Sequence, residues 1–242
     1  ATYSLICVSK SVKIAVCKKD KLVELFVFQK TKILSEMKKI LKKHEISVGI
    51  MSNVASISDS KLKKLKDLVH IQVISSFTEV PFKNLYETPK TLGVDRIALV
   101  AGAVSQFSGH NILVIDAGTC ITFDFVNSEG EYLGGTISPG LKMRFNSLNY
   151  FTANLPLLEI DELTDFIGKN TKESINSGVI NGAIQEIDGV INQYNKKFLD
   201  LTVVLTGGDT NFLAKQLKSS IFANQNLLLQ GLNRILIHNT EK

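Results

Sequence analysis

The stretch Val114-Ile115-Asp116-Ala117-Gly118-Thr119, with a second apolar run over 121–126 behind it, decides how this chain is read. An apolar strand ends in an aspartate, a glycine turn with a hydroxyl follows, and another β-like run begins. A glycine at such a turn lets backbone N–H groups approach a phosphate closely. Thr119 adds a hydroxyl donor, and Asp116 can hold a cation or a water that bridges to phosphates. The same residues also suit a plain hairpin in which Asp and Gly only shape the turn.

Outward from this stretch, the order of elements occurs twice. Strands over 5–8, 12–17 and 21–29 lead into a helix over 32–43, a strand over 47–51, a helix over 59–69 and a strand over 70–75. Strands over 112–115, 121–126 and 132–137 lead into helices over 139–149, 159–164 and 171–195. A strand over 201–205, a helix over 209–218, a strand over 223–229 and a helix over 230–238 close the chain. Between the two runs lie a loop containing Pro81 and Pro89 and an apolar helix over 95–106. Three strands followed by alternating helices and strands, met twice, predict two similar α/β domains, 1–108 and 109–242.

Composition narrows the classes of function. The 242 residues are 44% hydrophobic and 21% charged, which is globular and excludes a disordered or collagen-like chain. No apolar run approaches the roughly 18–20 residues of a membrane span, so no membrane partner is expected. The N-terminal stretch does not read as a signal peptide, which points to a cytoplasmic protein. The net charge of +5 comes from lysines concentrated in 32–43 and 61–69. There Ile33, Leu34, Met37, Ile40 and Leu41 recur at helical spacing with lysines between them, the pattern of a solvated helix face. With only three arginines and no binding signature, no nucleic-acid partner is expected. Cys7, Cys17 and Cys120 form no CxxC pair and read as reduced thiols. The four histidines are scattered and carry no evident chemistry.

Two further stretches could do chemistry. Thr91-Leu92-Gly93-Val94-Asp95-Arg96 opens the helix over 95–106. Its glycine can present amides to an anion, Arg96 can bind a carboxylate or phosphate, and Asp95 can accept a proton from a hydroxyl nucleophile. Asp95 is equally a good helix N-cap. Leu205-Thr206-Gly207-Gly208-Asp209 is another strand, glycine turn and helix start, where two glycines can admit an adenine or ribose close to the backbone.

Together these parts say more than each alone. In order and spacing, YETPKTLGVDRIALVAGA (86–103), LVIDAGTCITFDFVNSEGEYLGGTISPGL (113–141), FTANLP (151–156), the segment 170–178 and LTGGD (205–209) strongly resemble the type III pantothenate kinases. That resemblance implies an α/β fold of two ribonuclease H-like domains, as in the acetate and sugar kinase, Hsp70 and actin superfamily. It implies ATP-dependent phosphorylation of pantothenate to 4'-phosphopantothenate, the first step of coenzyme A biosynthesis. Carried over by motif, Asp95 is the general base. Gly93, Val94 and Arg96 line the pantothenate site, which Tyr86 and Thr171 also contact. Gly118 and Thr119 meet the ATP phosphates, Gly207 and Gly208 lie near the nucleoside, and Lys13 belongs to the first phosphate loop. Asp116 binds a monovalent cation, K⁺ or NH₄⁺, in addition to the Mg²⁺ that accompanies ATP. The family works as a homodimer with the pantothenate pocket at the subunit interface. Ile175, Val179, Ile180, Ala183, Ile184, Ile187 and Ile191 recur at helical spacing. That stripe either packs on its own sheet or turns partly toward a second subunit, and the resemblance favours the subunit contact.

The resemblance breaks at one place. The family's first strand runs into Asp-x-Gly-Asn-Thr-x-x-Lys. With Lys13 set at the motif lysine, Ile6 stands at the Asp, Val8 at the Gly, Ser9 at the Asn and Lys10 at the Thr. In a second register, 5–8 ends the strand and a few loop residues are absent before Ser9, which strand length favours. Both registers lack the carboxylate expected to position Mg²⁺. An active kinase is the expectation, and a catalytically silent relative serving as a regulatory or transcriptional accessory protein is the alternative. Another phosphotransferase or phosphatase of the superfamily would keep DAGT and LTGGD but leaves GVDR and the TPKT loop without a purpose.

Overall fold

The computed structural model describes residues 3–8, 12–52, 57–161 and 165–241, the side chains of 3–8 excepted. Its contacts group the chain into two units. Unit 1 holds residues 1–108, 130–132 and 226–242, and unit 2 holds 109–129 and 133–225.

Unit 1 begins with β1 (Tyr3–Val8), β2 (Lys13–Lys18) and β3 (Lys21–Val27), an antiparallel meander. It continues through α1 (Ile33–Lys43), β4 (Ile46–Ser52), α2 (Asp59–Leu68) and β5 (His70–Val73), with sheet order β3-β2-β1-β4-β5. The β1–β4 and β4–β5 pairs are parallel. β2 is buried along consecutive residues, Ile14, Ala15 and Val16, because both faces of the strand are covered. Helix α1 buries Ile33, Met37 and Ile40 against β2 residues Ile14 and Val16, leaving its lysines outside as the pattern predicts. Ser58 caps α2 by accepting a hydrogen bond from the Lys61 N–H.

The rest of unit 1 positions GVDR. β6 (Lys83–Asn84) pairs with Glu131 and Tyr132, the first residues of β9 (Glu131–Pro139). Helix α3 (Val94–Gln106) is buried on almost every side from Arg96 to Ala103 and therefore needs a second helix to cover it. The chain supplies one from its far end, α8 (Leu227–Thr240). The two helices touch backbone to backbone: a Cβ on Gly231 would overlap the Ala98 carbonyl, and one on Gly102 would sit 2.8 Å from the Leu227 carbonyl oxygen.

Unit 2 repeats the plan with β7 (Asn111–Ala117), β8 (Cys120–Val126), the remainder of β9, β10 (Leu201–Thr206) and β11 (Phe222–Ala223), in the order β11-β10-β7-β8-β9. β7 and β8 are antiparallel, whereas β10 runs parallel to β7 and β11. Both units are thus ribonuclease H-like. Helices α4 (Leu141–Phe151), α5 (Thr171–Asn176), α6 (Gly182–Lys197) and α7 (Thr210–Ala214) complete the unit, and a π turn over Ser177–Asn181 joins α5 to α6.

Several expectations are corrected. The stripe from Ile175 to Ile191 does not turn toward a second subunit: all seven residues are buried with Leu113, Ile115, Ile121, Phe123 and Leu205 in the core of their own unit. Residues 159–161 are not helical, and 162–164 lie outside the described residues. The strand expected over 223–229 ends at Ala223, and α8 starts at Leu227. Short apolar runs such as Leu227-Leu228-Leu229 suit a buried helix as well as a strand. The helix expected over 209–218 stops at Ala214. Among the described residues, no helix is long and apolar enough to cross a membrane.

Candidate active site

In unit 2, β7 and β8 are joined by the two-residue turn Gly118-Thr119, closed by a 2.9 Å hydrogen bond from the Gly118 N–H to the Cys120 carbonyl. Turn geometry does not call for this glycine. Its φ is not in the left-handed region, and a Cβ there would meet nothing within 4 Å. The open space beside its backbone is what a close-approaching ligand group would need.

Two remote segments close on the turn. Gly207, at φ +99°, follows β10, and a Cβ on it would strike the Ala117 carbonyl and Asp116 Oδ1. The Asp209 N–H donates to the Ala117 carbonyl at 3.0 Å, while Thr210 Oγ1, on a fully buried residue, donates to the Gly207 carbonyl at 2.7 Å. The Gly140 N–H donates to the Thr119 carbonyl at 3.1 Å, and a Cβ there would overlap the Gly118 and Thr119 carbonyls. Gly140 also caps α4, so the positive end of that helix adjoins the turn. Asp116, Gly118, Thr119 and Gly207 are therefore brought together, with Gly208 next in the chain and likewise open above its backbone. Burial pushes the half-buried Asp209 carboxyl above its ordinary value. Gly140, Asp209 and Thr210 escape a sequence reading because nothing local links them to residue 116. Their signal is only that each stands at a turn between a strand and a helix.

In unit 1, Gly93 is the N-cap of α3, and among the described residues no side chain caps that end. Asp95 sits inside the first turn, half-buried, where the helix dipole favours a carboxylate. The capping reading of Asp95 is thereby overturned. Arg96 beside it is 9% exposed, and its Nη2 donates to the Tyr132 hydroxyl at 3.0 Å. Its guanidinium lies 5.6 Å from the Tyr86 ring centroid, and Tyr86 stacks on Tyr132 at 5.9 Å. The Tyr86 N–H is held by Asn84 Oδ1 at 3.0 Å. Tyr86 and Arg96 are thus brought together through Tyr132, a fully buried residue that reads in sequence only as part of a strand. Val94 is the first residue of α3.

Thr171 belongs to unit 2. It opens α5 behind a capping box in which Asn170 Oδ1 accepts from the Glu173 N–H at 2.9 Å and Glu173 Oε2 accepts from the Lys169 N–H at 2.8 Å. It lines a cleft of about 650 Å³ with Arg144, Leu155, Ser174 and Gly178, beside the π turn. Arg144 is fixed there by the Pro139 carbonyl at 2.9 Å, Ser138 Oγ at 3.0 Å and Glu186 Oε2. Lys13 opens β2 opposite Val8. β1 runs on to Val8 with Ile6 inside it, as the second register expects, while Ser9 and Lys10 lie outside the described residues.

Among the described residues, no group of three or more His, Cys, Asp or Glu side chains gathers as a metal cluster. Cys17 and Cys120 are free, and burial pushes the Cys17 thiol up to about 11, which makes it inert.

The sequence profile of the type III pantothenate kinases matches residues 10–193. A type III pantothenate kinase of Flavobacterium johnsoniae is 44% identical over 224 residues, 92% of each chain. One from Christiangramia forsetii is 48% identical over 229 residues, 94% of each chain. Among solved structures, a Baf family transcriptional activator from Campylobacter jejuni superposes with a TM-score of 0.61 at 21% identity, over 98% of this chain and 100% of that one. The last likeness is one of fold.

Proposed function

The chain belongs to the type III pantothenate kinase family, and from that premise we propose how its residues phosphorylate pantothenate at the expense of ATP in coenzyme A biosynthesis. The Asp95 carboxylate takes the proton of the pantothenate hydroxyl as that oxygen bonds to the γ-phosphorus and the bond from the γ-phosphorus to its β-bridging oxygen breaks. Its place in the first turn of a helix keeps the carboxylate in register with the backbone, and Gly93 and Val94 leave room for substrate. Arg96, oriented by Tyr132 and Tyr86, binds the carboxylate of pantothenate.

The ATP phosphates lie over Gly118 and Thr119, and Gly207 and Gly208 border the nucleoside. The observation that carries this reading is the crowding at the turn, where Gly140 and Gly207 leave no room for a Cβ, against the open space beside Gly118 and Gly208. Lys13, the first residue of β2, is assigned to ATP binding as the lysine of the family's first phosphate loop. The residues fit the expected monovalent cation. Asp116, half-buried beside Gly207, is a single carboxylate suited to a monovalent cation, K⁺ or NH₄⁺. Mg²⁺ would come with the phosphates of ATP and would supply charge neutralisation, while the stretch 5–13 offers no carboxylate to position it.

The active form is a cytoplasmic homodimer whose pantothenate pocket draws Thr171 from one chain and GVDR from the other. With the helical stripe committed to its own core, Tyr150 and Phe151, each 81% exposed, and Phe166, 76% exposed, are among the exposed apolar groups that a partner would cover. The two ribonuclease H-like domains divide near Ser108, with α8 completing the first. The alternative of a silent accessory protein gains no support from relatives named as kinases. A coupled assay for ADP release tests the reading: release should require pantothenate, and ADP production indifferent to pantothenate would refute it. Mixing Thr171→Ala with Asp95→Asn chains should restore part of the activity, whereas a fully active monomer in sedimentation would end the shared-pocket proposal.

A further inference from the structure

Strand pairing in unit 2 sets three oxygen-bearing side chains in one lateral row. Asp116 of β7 stands directly opposite Thr122 of β8 in the antiparallel pair and beside Thr206 of β10 in the parallel pair. Residues so aligned project from the same face of a sheet. The flanking positions Ile115, Ala117, Ile121, Phe123 and Leu205 all enter the apolar core on the other face. The row is therefore separate from that core, and Asp116 lies in the middle of it.

Thr122 is the unusual member. Its Oγ1 is buried and has no hydrogen-bond partner among the described residues. A buried hydroxyl without a partner is a net cost that valine, of the same shape and equally suited to a strand, would avoid. A stranded oxygen in a native site calls for an explanation, and an ion or ordered water not held by the protein alone is the usual one. Here the nearest cross-strand neighbour is the carboxylate already assigned to a cation.

We propose that the Thr122 hydroxyl is a second oxygen ligand of the monovalent cation at Asp116, and so a determinant of which cation the enzyme accepts. The proposal rests on the Asp116 reading above. The chemistry is consistent: one carboxylate balances one positive charge, and the remaining ligands of a singly charged ion are then best supplied by neutral oxygens such as this hydroxyl. Thr206, 3% exposed on the other flank, restricts the space from the β10 side.

The test uses Thr122→Val and Thr122→Ser in the full chain, with a non-hydrolysable ATP analogue and Mg²⁺ present. Thermal unfolding is followed as KCl replaces choline chloride at constant ionic strength, because an ion that binds only the folded state raises Tm with concentration. Wild type and Thr122→Ser should show the same K⁺-dependent rise within about threefold in apparent affinity, and Thr122→Val should need at least tenfold more K⁺. In choline chloride alone, Thr122→Val should be no less stable than wild type. A valine variant with wild-type K⁺ affinity, or a serine variant as impaired as valine, overturns the role of Thr122. If valine lowers Tm in choline, Thr122→Ala decides by the same K⁺ criterion. A wild type whose Tm and turnover ignore K⁺ overturns the Asp116 reading itself, an outcome distinct from an indifferent valine variant.

Discussion

The two hairpins that open the two units, β1–β2 and β7–β8, share a topology and differ in chemistry. Both are antiparallel pairs whose first strand runs parallel to a later one, β4 or β10. In unit 2 the first strand ends in Asp116-Ala117 and turns through Gly118-Thr119, with Gly140 and Gly207 pressed against the turn from behind. In unit 1 the first strand ends in Cys7-Val8, pairs with Lys13, and has no carboxylate along its length. The comparison teaches that short apolar strands set the ribonuclease H-like order, and that in the proposed function phosphate chemistry is added by a few residues at one turn. In the proposed function, unit 1 contributes its general base elsewhere, at the start of α3.

The largest effect expected from breaking this division of labour is at Asp95. Asp95→Asn should lower kcat by about 10²–10⁴-fold, the usual share of a general base, with pantothenate affinity within about threefold of wild type. Steady-state kinetics paired with pantothenate titration check this, and near-normal turnover would return Asp95 to a structural role. Next comes the wall behind the unit 2 turn. Gly207→Ala places a Cβ against Asp116 Oδ1 and the Ala117 carbonyl at φ +99°. It should cost about 1–3 kcal/mol of stability and weaken ATP binding more than tenfold, measured by denaturant unfolding and nucleotide titration. A smaller change follows from Tyr132→Phe, which removes the acceptor for Arg96. The KM for pantothenate should rise about three- to tenfold, with kcat and the ATP KM little altered.

The smallest predicted change has the opposite sign. The Asp209 carboxyl is raised by burial, so the folded state holds its proton more tightly than the unfolded chain does. Its ionisation therefore costs stability above its folded value, and the cost vanishes below the ordinary value of 3.8. Asp209→Asn should raise Tm slightly at pH 7 and leave it unchanged near pH 3. A Tm lowered at pH 7 would mean that the carboxylate has a stabilising partner.

Much of this was legible in the sequence, for identifiable reasons. The strands around Asp116 follow from short apolar runs about a glycine turn and the lysine-faced α1 from helical spacing, and the motif order identified the site residues as candidates. What was not legible depends on contacts between distant segments. Tyr132 acquires its role only when β6 and β9 bring it under Arg96. α8 reads as an ordinary closing helix until Gly231 meets Ala98, 133 positions earlier in the chain by their numbers. The stripe from Ile175 to Ile191 had the period of a buried face, but period alone does not say what buries it.

The contrast between the two hairpins can be measured directly by titrating a non-hydrolysable ATP analogue into Asp116→Asn and Lys13→Ala in K⁺ buffer with Mg²⁺ present. If unit 2 supplies the phosphate site, Asp116→Asn weakens binding at least tenfold and Lys13→Ala less than about threefold. Equal losses, or a larger loss at Lys13, would contradict the account.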